Sequence, residues 1–134
     1  MKLLDSNTVI HYLQGRGPVV ERLQAASPRE VQLPSVVAYE LAYGTLKNGA
    51  ARRRVGMEKL LGAFVQAPFD AAAALEAARI RVELELRGLR IGPLDLMIAA
   101  TATSLGAILV TNNTKEFSRI PGLRLEDWTK GEGL

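Results

Sequence analysis

The chain has 134 residues, enough for a single domain that buries roughly two-thirds of its unfolded surface and too few to require a second. It contains no cysteine, which excludes disulfides, thiolate metal sites and cysteine nucleophiles together and suits a reducing compartment. Seventeen basic against 14 acidic residues leave a net charge of +3, a mild excess that decides nothing, and neither a signal-peptide core nor a bilayer-length apolar run is seen, so a cytoplasmic protein with no membrane partner is expected.

Lys2 to Asp5 reads as a short apolar strand that runs into Asp5, Ser6 and Asn7, placing a carboxylate at a strand's C-terminal end. Thr8 to Gln14 predicts a helix with Val9, Ile10 and Leu13 on one stripe, stopped at Gly15-Arg16-Gly17-Pro18. Pro18 to Ala25 predicts another, with Val19 and Leu23 inward, and the single histidine, His11, reads as a surface or half-buried residue. Glu30 to Leu33 is a second strand. Ser35 is the expected N-cap of a helix from Val36 to about Lys47, closed by Asn48-Gly49. On that helix Glu40 lies beside Val37, Leu41 and Gly44, so a carboxylate points inward and needs a cation, a hydrogen-bonding partner or a ligand cleft; a buried salt bridge is the structural alternative.

A helix from Ala50 to about Phe64 carries Arg52, Arg53 and Arg54, with Val55, Leu60, Leu61 and Phe64 expected inward; the arginines are either a solvated face or contacts for a phosphate backbone. Phe64 to Ala67 offers a third strand. Asp70 is the expected N-cap of a helix from Ala71 to Arg87, whose core stripe reads as Ala71, Leu75, Ala78 and Val82 and whose charges read as surface pairs.

The stretch from Ile91 to Asn113 organises the rest. Gly92-Pro93 is a helix entry, Gly106 an exit, and Leu94, Ile98, Thr101, Ala102 and Leu105 share one helical stripe, with Ala99 and Ala100 small enough for close packing. Ala107 to Val110 is apolar without alternation, the mark of a parallel strand covered on both faces, and Asp95 then falls in the first helical turn at the sheet edge where α/β ligand sites form. Thr114 to Phe117 begins a short helix, Leu123 to Leu125 is a candidate edge strand, and Trp128 is expected to pack the tail.

The order of strands and helices predicts an α/β fold, a central parallel sheet of four to five short strands flanked by helices in three layers. Three carboxylates stand out: Asp5, Glu40 and Asp95. Converging within roughly 4–6 Å they would repel one another unless protonated or neutralised, and an all-oxygen donor set selects a hard ion, Mg²⁺ or Mn²⁺. Such an ion activates water and stabilises the phosphate of an in-line displacement, which is nuclease chemistry.

Four motifs in order, LLDSN at Leu3 to Asn7, VVAYELAYG at Val36 to Gly44, IGPLDLMIAATA at Ile91 to Ala102 and LVTNNTKEFSRIPGLRLEDW at Leu109 to Trp128, make the whole chain, residues 1–134, resemble one PIN domain, and within that family the VapC toxins of bacterial toxin–antitoxin pairs. The resemblance implies a Mg²⁺-dependent endoribonuclease acting on tRNA or rRNA, a VapB-like antitoxin partner and a homodimer. By motif it assigns Asp5, Glu40 and Asp95 to the acidic cluster, with Asp5 and Asp95 as metal ligands, and Ser6 and Asn7 as supporting groups, though Asn7 is equally placed to cap the next helix. One position departs: many PIN domains carry an aspartate where this chain has Asn113, which leaves either a weakly held second metal or Glu116 to supply the charge. Two other readings stand beside it, a receiver-like signalling domain, which would want paired acids and a late lysine, and a PIN-like domain that only binds RNA or protein.

Overall fold

A computed structural model describes residues 1–49 and 51–130. Its elements in chain order are β1 (Lys2–Leu4), α1 (Ser6–Leu13), α2 (Gly17–Ala25), β2 (Val31–Pro34), α3 (Ser35–Asn48), α4 (Ala51–Ala63), β3 (Gln66–Ala67), α5 (Ala71–Leu86), α6 (Pro93–Leu105), β4 (Ile108–Val110), α7 (Thr114–Phe117) and β5 (Arg124–Glu126). The five strands form one sheet in the order β3-β2-β1-β4-β5, and every pairing is parallel. Leu3 and Leu4 point to opposite faces of the sheet and both are fully buried, as are Val31, Leu33, Leu109 and Val110, so helices cover both faces and the strands need no polar side.

The topology decides where a site can form. From central β1 the chain passes to β2 on one side, whereas β4 pairs on the other, so the sheet's direction of winding reverses between β1 and β4. A crevice opens outside the carboxyl ends of strands at such a reversal. Asp5 follows β1 there and Thr111 follows β4.

Helix α6 forms as its sequence dictates. Pro93 occupies the first turn, Gly106 ends the helix at φ 62°, and Ile98, Ala99, Ala100, Thr101 and Ala102 are all buried. Leu105, expected on the buried stripe, is exposed in the last turn of α6.

Four further expectations are corrected. On α5 the residues facing the core are Ala73, Ala77, Ile80 and Leu84, while Leu75 and Val82 face solvent, half a turn from the expected phase. On α1 only Val9 of the expected stripe is buried, with Ile10 and Leu13 exposed, and on α4 Val55 is exposed while Met57 and Leu60 turn inward. Pro34, not Ser35, stands at the N-cap of α3, and no side chain caps that end. Ala50 lies outside the described residues; from Ala51 onward the helix is present.

The tail closes against the start. The Lys2 ammonium donates to Glu126 Oε1 at 2.9 Å, and buried Trp128 donates its Nε1–H to the same oxygen at 3.0 Å. These bonds, with the Lys2 charge, hold the Glu126 carboxyl below its usual range although burial opposes them.

Candidate active site

Asp5 is 2% exposed at the end of β1 and is held from two sides. Its Oδ1 accepts from the Ser6 backbone N–H at 2.8 Å, which also makes Asp5 the N-cap of α1, and from the Ser6 hydroxyl at 3.4 Å. Its Oδ2 accepts from the buried Thr111 hydroxyl at 2.7 Å, across the gap between β1 and β4. The rotamer is therefore fixed before any ligand arrives.

The other acids arrive from helices. Glu40 reaches the same corner from α3, where its Oε1 accepts from the Ser6 hydroxyl at 3.3 Å, so one serine joins two carboxylates. Asp95 sits in the first turn of α6, with Oδ2 beside Gly92. A Cβ built on Gly92 would lie 3.9 Å from that oxygen, an ordinary contact, so the glycine is not required to make room for it. Glu116 on α7 takes the position opposite: Asn113 Nδ2 donates to its Oε2 at 3.0 Å, and the Gly92 N–H donates to its Oε1 at 3.4 Å. Asn113 thus anchors a carboxylate at the corner where it lacks one of its own.

Burial and the charges of neighbouring carboxylates act together on Asp5, Glu40 and Asp95. Burial pushes Asp5 above the usual carboxylate range, against the hydrogen bonds from Thr111 and Ser6, and the Glu116 charge adds to the rise. Burial also raises Glu40, opposed by its bond from Ser6 and assisted by the charge of Asp5. Asp95 is pushed up to about 6, first by burial and then by the charges of Asp5, Glu116 and Glu40. Among the described residues no lysine, arginine or histidine stands within salt-bridge distance of any of the four, so the buried salt bridge open to Glu40 is not made.

Such a set fits a hard divalent cation by its chemistry: oxygen donors alone, an excess of negative charge, and one ligand held rigidly. It is not a closed cage, because no three of the acids among the described residues converge on a common point as they stand. Asp5 is the member fixed by hydrogen bonds, and Asp95 is the carboxylate that would hold such an ion with it.

Two expected participants lie outside the cluster. Asn7 is exposed in the first turn of α1, and neither caps that helix, a role taken by Asp5, nor bonds to the acids. Arg52, Arg53 and Arg54 are exposed along the start of α4 and make no contact with the carboxylates. Two threonines escaped the sequence reading. Thr111 orients Asp5 and, through the same Oγ1, accepts from the Asn113 N–H at 3.0 Å, while the Thr8 hydroxyl donates to the Val110 carbonyl at 3.0 Å and ties α1 to β4. Nothing in the sequence alone marks either hydroxyl, because only the pairing of β1 with β4 sets Thr111 across from Asp5 and Thr8 against Val110.

The PIN domain family model matches residues 2–123. This chain is a PIN domain. It is 35% identical over 127 residues to the tRNA(fMet)-specific endonuclease VapC of Salmonella typhimurium, covering 94% of this chain and 96% of that protein. It is 38% identical over 128 residues to the Shigella flexneri protein of the same name, covering 95% and 97%. Among solved structures it superposes with a TM-score of 0.88 on DNA-bound VapBC from Salmonella typhimurium, at 35% identity and 95% and 97% coverage. With VapBC2 from Rickettsia felis, bound to a fragment of the promoter, the TM-score is 0.86 at 32% identity, over 95% and 98% of the two chains. Within the PIN family the chain therefore belongs with the VapC toxins, and the receiver-like reading is set aside.

Proposed function

We propose that the chain is the toxin of a VapBC-type pair and an endoribonuclease that hydrolyses RNA phosphodiester bonds with Mg²⁺, or Mn²⁺, held by Asp5 and Asp95 beside Glu40. The carrying observation is the unneutralised cluster of Asp5, Glu40, Asp95 and Glu116 at the carboxyl ends of β1 and β4. Left as it is, that cluster repels a phosphodiester; a bound divalent cation would reverse the local sign, lower the pKa of water and stabilise charge on the scissile phosphate. Asp5 supplies the fixed oxygen, oriented by Thr111 and Ser6. Glu40, tethered through Ser6, is the group this reading assigns to accept a proton from an attacking water. Exposed Arg52, Arg53 and Arg54 are the surface cations available to the RNA backbone away from the cleavage point.

The names of the relatives support tRNA as the substrate, with rRNA as the other structured RNA in reach of the same chemistry. The VapBC complexes among the structural neighbours support a VapB-like antitoxin, and the protein acts as a homodimer in this reading. The binding-only alternative drew on Asn113, and the hydrogen bond from Asn113 that holds Glu116 weakens its ground.

The test is cleavage of a tRNA pool by purified protein with Mg²⁺, with Mn²⁺ and with chelator, alongside Asp5→Asn and Asp95→Asn. Cleavage is expected only with a divalent ion and only with both aspartates. Undiminished cleavage in chelator, or by either variant, overturns the assignment.

A further inference from the structure

Two cross-links tie the segment before α6 to the residues of α7 and just beyond it, and they carry opposite charge. In the first, the Gly92 N–H donates to Glu116 Oε1 at 3.4 Å, on the acidic side. In the second, Arg119 Nη1 donates to the Arg90 carbonyl at 3.0 Å, while Arg87 Nη1 donates to the Arg119 carbonyl at 2.9 Å. Gly88, at φ 69°, follows the end of α5 and turns the chain between Arg87 and Arg90. Three arginines from two distant parts of the sequence are thereby brought onto one short stretch of surface. Among the described residues none of them pairs with a carboxylate: Glu85 is taken by Arg81 at 3.5 Å, and Glu116 by Asn113 and Gly92. Gathering like charges without a counter-charge is unfavourable, and the dipole at the end of α5 accounts for Arg87 alone.

We propose that Arg87, Arg90 and Arg119 form a phosphate-binding patch that grips the RNA strand beside the bond being cut; this rests on the nuclease reading and names where its substrate is held. A guanidinium has five N–H donors, and the carbonyl bonds use one in Arg87 and one in Arg119, while Arg90 makes no side-chain bond among the described residues. Arg87 and Arg90 are exposed and Arg119 is half-buried, so donors remain for an anion, and the planar fork of arginine matches phosphate oxygens two at a time. The carbonyl bonds also hold Arg87 and Arg119 in place, which lowers the entropy lost when a phosphate binds. Arg90 lies two residues before Gly92, at most about 7 Å along the chain, so the sign of the charge reverses within a short step of Asp95 and Glu116. One phosphate of a strand can then sit at the acidic corner while its neighbour is held by the arginines, against the repulsion of the carboxylates. Arg52, Arg53 and Arg54 cannot do this together: consecutive on a helix, they point in directions about 100° apart and do not close on one phosphate.

Binding is read apart from cleavage. In an Asp5→Asn background with Mg²⁺, affinity for a tRNA pool is measured from about 50 to 300 mM KCl. Adding Arg90→Ala should weaken binding about 4–6-fold near 0.15 M salt and flatten the log–log salt dependence by about 0.7–0.9, the loss of one phosphate contact. Arg87→Ala together with Arg90→Ala should double the change in slope and weaken binding about 15–30-fold. Arg29→Ala removes the same charge from the exposed loop before β2, at the opposite edge of the sheet, and should leave the slope unchanged. In the chain with Asp5 intact, Arg90→Ala should raise KM for tRNA by the same factor and leave kcat and the melting temperature as they were. An unaltered slope in the Arg90 variants, or an equal change in Arg29→Ala, overturns the proposal. So does a variant that keeps its RNA affinity but no longer binds the antitoxin, which would give the patch to that partner. The two readings fail separately: salt-dependent binding lost with the arginines in a chain that never cleaves sinks only the nuclease, and cleavage with an unaltered KM in the arginine variants sinks only this patch.

Discussion

Thr111 does with one hydroxyl what the buried aspartate cannot do for itself. Asp5 is almost wholly removed from water, and its charge is held by few donors, of which the Thr111 hydroxyl at 2.7 Å gives the largest stabilisation. Thr111→Val keeps the shape and deletes the donor, so the Asp5 pKa should rise further and the acidic limb of the cleavage–pH profile should move to higher pH. Cleavage at neutral pH should fall by about 10–100-fold, the usual cost of losing a group that orients a metal ligand. Rate measured across pH 5.5–8.5 with Mg²⁺ checks it, and an unshifted profile would show that the hydroxyl does no more than pack. At this scale Asp5, Glu40 and Asp95 were legible in the sequence because carboxylates beside apolar residues are conspicuous. Thr111 was not, because a threonine after a strand is ordinary until the fold sets it across from Asp5.

Between the elements, α6 and α5 show why one helix is readable and another misleads. Proline and glycine bracket α6, so its limits follow from the sequence, whereas Ile98 to Ala102 are buried without a break and the stripe expected to end at Leu105 does not mark the covered surface. On α5 the outer face is as apolar as the inner one, and the periodic pattern fits two phases half a turn apart; only packing against α6 and the sheet chooses between them. The exposed Ile10, Leu13 and Val55 are the same error on a smaller scale, apolar residues that the sequence assigns inward and the fold leaves out. The close packing of α6 also places Asp95. Ala100 is fully buried, so Ala100→Leu should cost about 1–3 kcal/mol and, by pushing α6 off the sheet, reduce cleavage as well. Thermal melts with activity assays check this. An unchanged melting temperature would mean that α6 has room to spare and that its alanines do not set the depth of Asp95.

For the whole molecule, the acidic cluster sets how stability depends on pH and on cations. Asp95 titrates near 6 in the folded chain against an ordinary value of 3.8, so between those values the native state binds more protons than the unfolded one. The Asp95 contribution to metal-free stability should therefore be fully present below about pH 4, fall as pH rises towards 6, and then level off. Mg²⁺ should restore it above pH 6, since it binds the ionised cluster. Asp95→Asn removes one repelling charge: it should melt higher than wild type in chelator at pH 7 and gain less from Mg²⁺. Four melts at fixed ionic strength decide; a variant that melts lower and responds equally to Mg²⁺ would make Asp95 a helix N-terminal charge and no member of the cluster. In cells, expression of the chain alone should arrest growth and co-expression of the antitoxin should relieve it, whereas unimpaired growth at high soluble yield would remove the toxin reading and leave the fold intact.

The strand order also sets a timetable. The first strand made is the central one, and its partner β4, with the Thr111 that fixes Asp5, lies 106 residues further along the chain. At about 5–20 residues per second, roughly 5–20 s of translation separate the two. Throughout that interval Asp5 has neither its second strand neighbour nor its hydroxyl, Asp95 is made only towards its end, and Glu116 is made after it. Contacts so distant in sequence are also slow to form afterwards, because the long loop must close before they return any free energy. A nascent chain still on its ribosome, surrounded by RNA, thus has no assembled cleft, and an antitoxin has the whole of synthesis and folding in which to reach it first.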